Sequence, residues 1–295
     1  MVVIGGGVIG LELACAFAAF GTKITVVEML PELLPREQKE AVRVLTREMK
    51  KLGISMKTGA KMLRVEKDGE LLRAVYELKG AEEAVDCEQV LMAAGRKTNL
   101  SGIDAEALGL ALDQKKCIVV DDHMRTNLPG VYAIGDINGK MQLAHVATAQ
   151  GTLVADHIAG KPCKQLNYNR IPSCVYCNPE TAMVGLTEEQ ARATGKDVGT
   201  GVFNLSGNGK ALTMGENHGF VKFVFDKATE EILGFHVIGP RATDLAAEVA
   251  AVMECEGTIS EIGSTVHPHP TVSEAVMEAA HACHGNSVHA PKARK

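Results

Sequence analysis

Residues 2–10 read VVIGGGVIG, in which a short apolar run passes directly into a glycine-rich turn. The first three residues have the β-branched character of a buried strand, and apolar side chains at helical spacing follow the turn as far as Gly21. A second apolar run, residues 24–27, then ends at Glu28. The order of strand, glycine turn, helix and strand predicts a βαβ unit and therefore a parallel sheet.

The glycines of this turn fit the pattern G-x-G-x-x-G at Gly5, Gly7 and Gly10. Such glycines let the backbone approach a pyrophosphate at the positive end of a helix, and a carboxylate about 20 residues further on can bond a ribose hydroxyl. A glycine turn of purely structural use is the alternative. The preceding strand, the following helix and Glu28 together favour a dinucleotide-binding site.

Periodicity predicts the remaining elements. Before residue 95 we expect a helix at 36–52, a parallel strand at 54–57, an antiparallel hairpin at 62–66 and 71–78, and a buried strand at 89–94. In the last third we expect strands at 175–185, 198–205, 220–226 and 232–238, a short helix capped by Thr187 and Gln190, and a helix at 243–256.

Residues 267–274 read HPHPTVSE. The prolines stiffen the segment, so His267 and His269 should point to the same side, and Thr271 is a suitable N-cap for a following helix. Glu274 would then lie in the first turn, within reach of His269, and an imidazole beside a carboxylate forms a general base. The residues alone leave open a second interpretation, in which Thr271 and Glu274 form only a capping box and the histidines have no chemical role.

This segment resembles the carboxy-terminal signature of the dihydrolipoamide dehydrogenases, a group of flavoprotein disulfide reductases. The resemblance implies that His269 and Glu274 are the acid/base dyad. It extends to the Ala-x-Gly-Arg turn that contains Gly95, which in these reductases borders the nicotinamide site.

Residues 126–136 read TNLPGVYAIGD, and LAH follows at residues 143–145. Asp136 ends the strand predicted at 131–136, and an aspartate at the carboxyl end of a strand can hold sugar-like hydroxyls. The amides of the helix expected at 143–158 can offset negative charge on a flavin ring. A solvated loop aspartate is the alternative. The stretch is similar to the second FAD motif of the same reductases, which implies FAD contacts from Asp136, Gln142, Leu143, Ala144 and His145.

The resemblance implies a fold class and a domain order: an α/β Rossmann-like NAD-binding domain at 1–97, a segment of an FAD-binding domain at 98–169, and an α+β dimerisation domain at 170–295. The cofactors would be FAD and NAD. Members of the group also carry an amino-terminal FAD-binding unit with a Cys-x4-Cys redox pair, which these 295 residues do not contain, so we expect a carboxy-terminal portion. The residues expected to bind NAD are Gly5, Gly6, Gly7, Val8, Ile9, Gly10, Glu12, Glu28, Met62 and Gly95.

The implied reaction is the oxidation of protein-bound dihydrolipoamide to lipoamide, by a homodimer that serves the lipoyl domains of a 2-oxoacid dehydrogenase or glycine cleavage complex. Two alternatives stay open at this point. One is a sister reductase acting on glutathione or mercuric ion. Glu28 and the first histidine of the His-x-His pair argue against it. The other is a non-catalytic NAD-binding or assembly module.

Composition limits the partners and the location. The formal net charge is −5 and the pI is about 6.1, without a broad basic run, which argues against nucleic acid and anionic membranes. No apolar run reaches the roughly 18 residues of a membrane span, so a cytoplasmic protein is expected.

The eight cysteines are expected to be reduced thiols. Cys174 and Cys177 have the spacing of a redox pair, but strand-forming residues separate them, which favours structural thiols. His281, Cys283, His284 and His289 near the end of the chain could bind a metal, although a frayed helix end and a disordered tail are favoured, and no metal site is predicted.

Overall fold

The computed structural model of the protein describes residues 1–290, which form two compact units. One unit contains residues 1–95 together with the residues from Pro172 onward, and the other contains residues 96–171. The strands of the described residues are β1 (Val2–Ile4), β2 (Thr25–Glu28), β3 (Ser55–Thr58), β4 (Ala60–Asp68), β5 (Leu71–Leu78), β6 (Ala81–Cys87), β7 (Val90–Met92), β8 (Ser173–Val175), β9 (Glu180–Gly185), β10 (Val198–Asn204), β11 (Phe220–Asp226) and β12 (Ile232–Gly239). The α-helices are α1 (Val8–Ala19), α2 (Lys39–Lys51), α3 (Ala144–Ile158), α4 (Glu188–Ala193), α5 (Gly209–Met214), α6 (Ala242–Glu254), α7 (Ile259–Ser264) and α8 (Glu274–Cys283).

A parallel sheet of order β3-β2-β1-β7 forms the centre of the amino-terminal region. Val2 and Val3 of β1 are fully buried, as expected for a central parallel strand covered on both faces. The predicted βαβ unit is therefore present. Helix α2 begins at Lys39, later than the predicted residue 36, because the preceding residues form a turn in which the amide of Glu37 donates to the carbonyl of Leu34.

Strands β4, β5 and β6 form a separate antiparallel sheet. The predicted hairpin is β4 and β5, whereas β6 was not predicted, because its acidic residues have low strand propensity. Cross-strand ion pairs offset that deficit. The guanidinium of Arg73 binds Asp86 at 2.8 Å, and that of Arg64 binds Glu82 at 3.1 Å.

The carboxy-terminal region contains an antiparallel sheet of order β10-β11-β12-β9-β8. All residues of β11 and β12 are buried, and α6 and α8 pack against the sheet. The single strand predicted at 175–185 is wrong: β8 and β9 are separate because Pro179 lacks the amide that a continuous strand needs. Helices α5 and α7 were not predicted, since six residues are too few to establish a helical period.

In the unit of residues 96–171, α3 lies where a helix was predicted. The strand predicted at 131–136 is wrong. A single bridge joins Tyr132 to Arg125, and within the described residues no continuous partner turns this extended segment into a strand. Asp136 lies instead in a 3-10 turn, Gly135–Asn138.

Across residues 1–290, every helix is too short or too polar to cross a bilayer.

Candidate functional site

The glycine-rich turn between β1 and α1 has two glycines that the fold itself requires. Gly5 has φ +111°, and a Cβ there would lie 2.4 Å from the carbonyl oxygen of Ala93. A Cβ on Gly10 would lie 2.1 Å from the carbonyl oxygen of Gly5. Both contacts are far below van der Waals distance, so Gly5 permits the tight turn and Gly10 permits close packing of helix on strand.

Gly7 differs from both of these glycines. It is the N-cap of α1 in an ordinary extended conformation, and a Cβ there would have no atom within 4 Å. Protein packing therefore does not explain a glycine at this position. The adjacent Val8 and Ile9 are exposed, and the helix end carries no side-chain cap. An open, positive helix terminus fits the pyrophosphate of a dinucleotide.

Glu28 is the last residue of β2 and lies beside the turn. Its Oε2 accepts the amide N–H of Gly6 at 2.5 Å, and its Oε1 accepts the amide N–H of Leu30 at 2.7 Å. An ionised carboxylate has about four acceptor positions, so two remain for other donors. The position and the remaining capacity of Glu28 fit a ribose diol.

The other residues predicted to bind NAD occupy varied positions in the same unit. Glu12 of α1 accepts the amide N–H of Tyr176 at 2.8 Å and so ties α1 to the segment after β8. Met62 is half-buried in β4. Gly95 has φ +118° and open space around its Cα, so the turn that follows β7 is left uncovered by protein atoms.

In the unit of residues 96–171, Asp136 is bound by a residue that was not predicted. The Arg96 guanidinium donates to Asp136 Oδ2 at 2.6 Å through Nη1 and to the carbonyl of Gln142 at 2.8 Å through Nη2. One side chain thus joins Asp136 to the residues just before α3. The sequence signal for it was present, since Arg96 follows Gly95 in the turn already singled out.

Two buried amides fix the turn that carries Asp136. Gln150 of α3 accepts the amide N–H of Gly135 at 2.7 Å and the Asn138 side-chain N–H at 3.0 Å, and its own Nε2 donates to Tyr168 at 2.9 Å. Sequence reasoning missed Gln150 and Asn138, because an isolated Gln or Asn has no motif.

Leu143 is the N-cap of α3 without a side-chain bond, and the first turn of the helix has no acidic residue. Ala144 and His145 lie in that turn and are exposed. The positive end of α3 is thus not neutralised by its own side chains, which fits a ligand with negative charge.

In the carboxy-terminal region, His269 and Glu274 are brought together. His269 Nδ1 lies 2.8 Å from Glu274 Oε1, and Glu274 Oε2 accepts the amide N–H of Thr271 at 2.9 Å. The His269 side chain is 78% exposed and that of Glu274 is 21% exposed. Partial burial tends to raise the pKa of Glu274, but the hydrogen bonds from Thr271 and His269 outweigh it and lower the pKa, so the carboxylate is ionised at neutral pH.

His267 lies in a different environment from His269. Its side chain is 3% exposed, with Nε2 2.8 Å from Oε1 of Glu248 in α6 and Nδ1 2.8 Å from the carbonyl oxygen of Thr265. The prediction that both histidines point to the same side is therefore wrong. His267 fastens the segment to α6, which leaves His269 facing outward.

The predicted N-cap is also wrong. Helix α8 begins at Glu274 with Ser273 as its N-cap, and the hydroxyl of Thr271 donates to the carbonyl of Pro268 at 2.7 Å. Val272, Val276 and Ala279 are buried and form the apolar face of this segment.

The cysteines show no sign of a redox pair at Cys174 and Cys177. Both are free thiols, and burial raises the pKa of Cys174. A hydrogen bond between Cys15 and Cys177 raises the pKa of Cys177 and lowers that of Cys15 to about 7. A raised thiol pKa is the opposite of what a redox centre needs, so the structure agrees with structural thiols.

The carboxy-terminal residues that were considered as metal ligands bind protein groups instead. His281 bonds the carbonyl of Gly263 at 2.8 Å, and His289 bonds Glu278 at 2.7 Å. Glu278 also accepts the amides of Val288 and His289. The expected frayed helix end and disordered tail are therefore wrong as far as His289.

The parallel sheet, its glycine turn and Glu28, together with a histidine–carboxylate pair in the carboxy-terminal region, place the chain among the dinucleotide-dependent oxidoreductases. Residues 1–151 match the family model of the pyridine nucleotide-disulphide oxidoreductases, and residues 171–280 match that of their dimerisation domain. The chain belongs to this family, whose cofactors are FAD and NAD. The predicted fold class and cofactors are thereby confirmed.

Within this family, the chain is similar to the dihydrolipoyl dehydrogenases. Dihydrolipoyl dehydrogenase of Thermus scotoductus is 40% identical over 291 residues, which are 98% of this chain and 63% of the relative. The Bacillus subtilis enzyme of the same name is 40% identical over 98% of this chain and 61% of its own length. The solved structure of LpdA from Mycobacterium tuberculosis has a TM-score of 0.88 at 29% identity, covering 95% of this chain and 60% of that one. The predicted resemblance is confirmed, and the chain spans about three fifths of the length of these relatives.

Proposed function

We propose that the chain supplies the NAD site, part of the FAD site, the dimer interface and the catalytic base of a dihydrolipoyl dehydrogenase, which oxidises protein-bound dihydrolipoamide to lipoamide and reduces NAD. The observation that carries the proposal is the bond between His269 Nδ1 and Glu274 Oε1. It occurs in a chain that is 40% identical to enzymes of that name.

The energetic problem for such a base is the pKa difference between donor and acceptor. A thiol of ordinary pKa near 8.5 gives its proton to an ordinary imidazole of pKa near 6.5 at a cost of about 2.7 kcal/mol. An ionised carboxylate bonded to the imidazole favours the protonated ring and reduces that cost. Glu274 is in place to do so, with a lowered pKa that keeps it charged.

The proposed base would react through one particular ring nitrogen. Because Nδ1 of His269 bonds the ionised carboxylate of Glu274, Nε2 is the nitrogen left to accept a proton. His269 therefore takes the dithiol proton at Nε2 and holds it while Glu274 stabilises the charged ring. FAD, when bound, supplies the transfer of electrons from the dithiol towards NAD.

The residues proposed to bind the cofactors lie at the glycine turn and at the N-terminus of α3. Gly7 and the N-terminus of α1 would receive the pyrophosphate of NAD, with Gly5, Gly6, Val8, Ile9, Gly10 and Glu12 shaping the same turn, Glu28 on the ribose, and Met62 and Gly95 nearer the nicotinamide. Asp136, held by Arg96, would bind FAD hydroxyls, and Gln142, Leu143, Ala144 and His145 would present the N-terminus of α3 to the flavin.

We retain the domain limits 1–97, 98–169 and 170–295. The dimerisation-domain match at 171–280 supports a homodimer built from the last of these domains. The proposed partners are the lipoyl domains of a 2-oxoacid dehydrogenase or glycine cleavage complex. The eight free cysteines support a reducing compartment such as the cytoplasm.

The test of the proposed function is complementation. The chain is mixed with FAD, NAD and the part of the Bacillus subtilis relative that it does not cover, and NADH formation is followed with dihydrolipoamide or with glutathione as the reductant. We expect NADH to form with dihydrolipoamide only. Activity confined to glutathione would contradict the proposed substrate.

A further inference from the structure

Two imidazoles and a thiol lie together at the C-terminal end of α3. His123, His157 and Cys163 are each half-buried, and their potential ligand atoms all lie within 4.8 Å of one another. The two imidazole ring centroids are 5.1 Å apart. A helix of 15 residues is about 22 Å long, so this cluster is remote from the predicted flavin residues at the other end of α3.

The backbone holds His123 in a tight turn. Asp121 Oδ1 accepts the amide N–H groups of His123 and Arg125, each at 2.9 Å, and Asp121 Oδ2 accepts the Arg125 side chain at 2.6 Å. Met124, the next residue, is fully buried. The turn is therefore anchored on both sides of His123.

The other two side chains are brought together by the end of the helix. His157 lies in the last turn of α3, and its ring packs edge-on against Tyr132 at a centroid distance of 6.1 Å. Beyond the helix, Gly160 has φ +66° and the amide of Lys161 donates to the carbonyl of Asp156 at 2.9 Å. This reversal returns the chain so that Cys163 lies beside His157.

We propose that His123, His157 and Cys163 form a Zn²⁺ site that nothing in the dehydrogenase reaction requires. Two imidazole nitrogens and one thiolate are donors that suit zinc and not the oxygen-seeking Mg²⁺ or Ca²⁺. Ligand atoms around tetrahedral zinc are separated by about 3.3–3.6 Å, given bond lengths of about 2.0–2.3 Å. Side chains whose donor atoms already lie within 4.8 Å reach that separation by closing about an ångström.

The ion would have three protein ligands, and the half-buried position leaves the fourth to water. Its effect would be to cross-link the turn at residues 121–125 to the loop that follows α3. The histidines and Cys283 near the end of the chain do not compete as a preformed site, because His281 and His289 already bond Gly263 and Glu278.

The first test asks whether Zn²⁺ protects the thiol of Cys163 from alkylation. The 295-residue chain is treated with iodoacetamide with and without one equivalent of Zn²⁺, and the alkylation of each cysteine is read by peptide mass spectrometry. We expect zinc to slow alkylation of Cys163 at least about tenfold, and the exposed Cys255 to react equally in both cases. His123→Asn and His157→Asn keep the reporter thiol and should abolish its protection, whereas His284→Asn should not.

A second measurement reads the metal's own spectrum, first in the wild-type chain. With Co²⁺ in place of zinc, the wild-type chain should show a thiolate-to-cobalt charge-transfer band and the d–d bands of a tetrahedral ion, and Cys163→Ser should lose the charge-transfer band. The proposal is overturned if zinc leaves Cys163 unprotected in the wild-type chain. It is equally overturned if protection persists in both the His123→Asn and His157→Asn chains, or if the cobalt band survives Cys163→Ser.

Discussion

His269 and Glu274 are joined by a 2.8 Å hydrogen bond, and the second carboxylate oxygen of Glu274 is occupied by the amide of Thr271. The sequence left two interpretations open, a catalytic dyad or a capping interaction. The structure contains the histidine–carboxylate bond that a dyad requires and one half of the capping box, because the two oxygens of one carboxylate serve both. The capping bond fixes the orientation in which Glu274 meets the imidazole.

The first prediction separates the glycines of the turn. Gly7→Ala places a methyl group where no protein atom lies within 4 Å, so the chain should keep its stability but lose NADH affinity by about tenfold or more. Gly10→Ala forces a contact with the carbonyl of Gly5 and should destabilise the fold by roughly 1–3 kcal/mol. Urea unfolding and NADH titration measure the two effects. Equal stability losses in both variants would contradict the assignment of Gly7 to the cofactor.

The second prediction concerns cofactor choice. Glu28 should repel the 2′-phosphate of NADPH by about 1–4 kcal/mol at an effective dielectric near 20, so the chain should prefer NADH at least tenfold. Glu28→Gln removes the charge, at the loss of one of the two oxygens that accept the amides of Gly6 and Leu30, and should reduce that preference. Fluorescence titration with both nucleotides measures it, and equal affinities in the wild-type chain would rule out the role of Glu28.

The third prediction is a pH dependence of stability. Burial raises the pKa of Glu37 from its ordinary value of 4.5 to about 7. Because the folded chain then holds a proton that the unfolded chain releases, stability should fall as the pH rises from 4.5 to 7 and stay low above it. Glu37→Gln should therefore stabilise the chain by about 3 kcal/mol at pH 8, at 1.36 kcal/mol per pKa unit, and hardly at all at pH 4.

Urea unfolding at both pH values provides the measurement for Glu37. The control is Glu77→Gln, which changes an exposed carboxylate in β5 and should alter the stability by less than about 0.5 kcal/mol. A Glu37→Gln chain with the same gain at pH 4 and pH 8 would show that the carboxylate is not protonated in the folded state.

The fourth prediction concerns a buried cation that joins β11 to α2 and α4. Lys222 of β11 has a side chain 5% exposed, with Nζ 2.8 Å from Glu40 and 2.6 Å from Glu188. Burial lowers the pKa of Lys222, but the two carboxylates outweigh it and raise the pKa, so the amine is charged. Lys222→Met leaves two unneutralised carboxylates and should cost roughly 3 kcal/mol.

The matched control is Lys227→Met, which removes an exposed pair with Asp197. Solvent and salt weaken such a pair, so we expect a change below about 1 kcal/mol. If chemical denaturation gave the same loss of stability for both variants, the buried ion pairs of Lys222 would stabilise the fold no more than an exposed pair does.

The sequence predicted those features that local chemistry determines. Glycine spacing and the apolar runs located β1, α1 and β2, and a capping box located α4, in which Thr187 and Gln190 bond each other's backbone. The contact between His269 and Glu274 was predicted in the same way and is present.

What could not be predicted depends on contacts distant in the chain. The bond from Arg96 to Asp136 spans 40 residues, and the burial of His267 depends on Glu248, 19 residues earlier. The strand expected at 131–136 failed for a related reason, because strand formation needs a partner that local propensity does not report. The cluster of His123, His157 and Cys163 had no recognisable spacing either.

The central claim is that His269 is the base of dithiol oxidation. The most direct measurement is the rate of dihydrolipoamide-dependent NADH formation by the complemented enzyme across pH 6–9, for wild type, His269→Gln, Glu274→Gln and His267→Gln. We predict that His269→Gln loses about 10²–10⁴ in turnover, Glu274→Gln loses less because the imidazole remains, and His267→Gln loses least. NADH oxidation by an artificial acceptor, which bypasses the dithiol, should survive all three changes. A His269→Gln enzyme with the wild-type rate and pH profile would contradict the account.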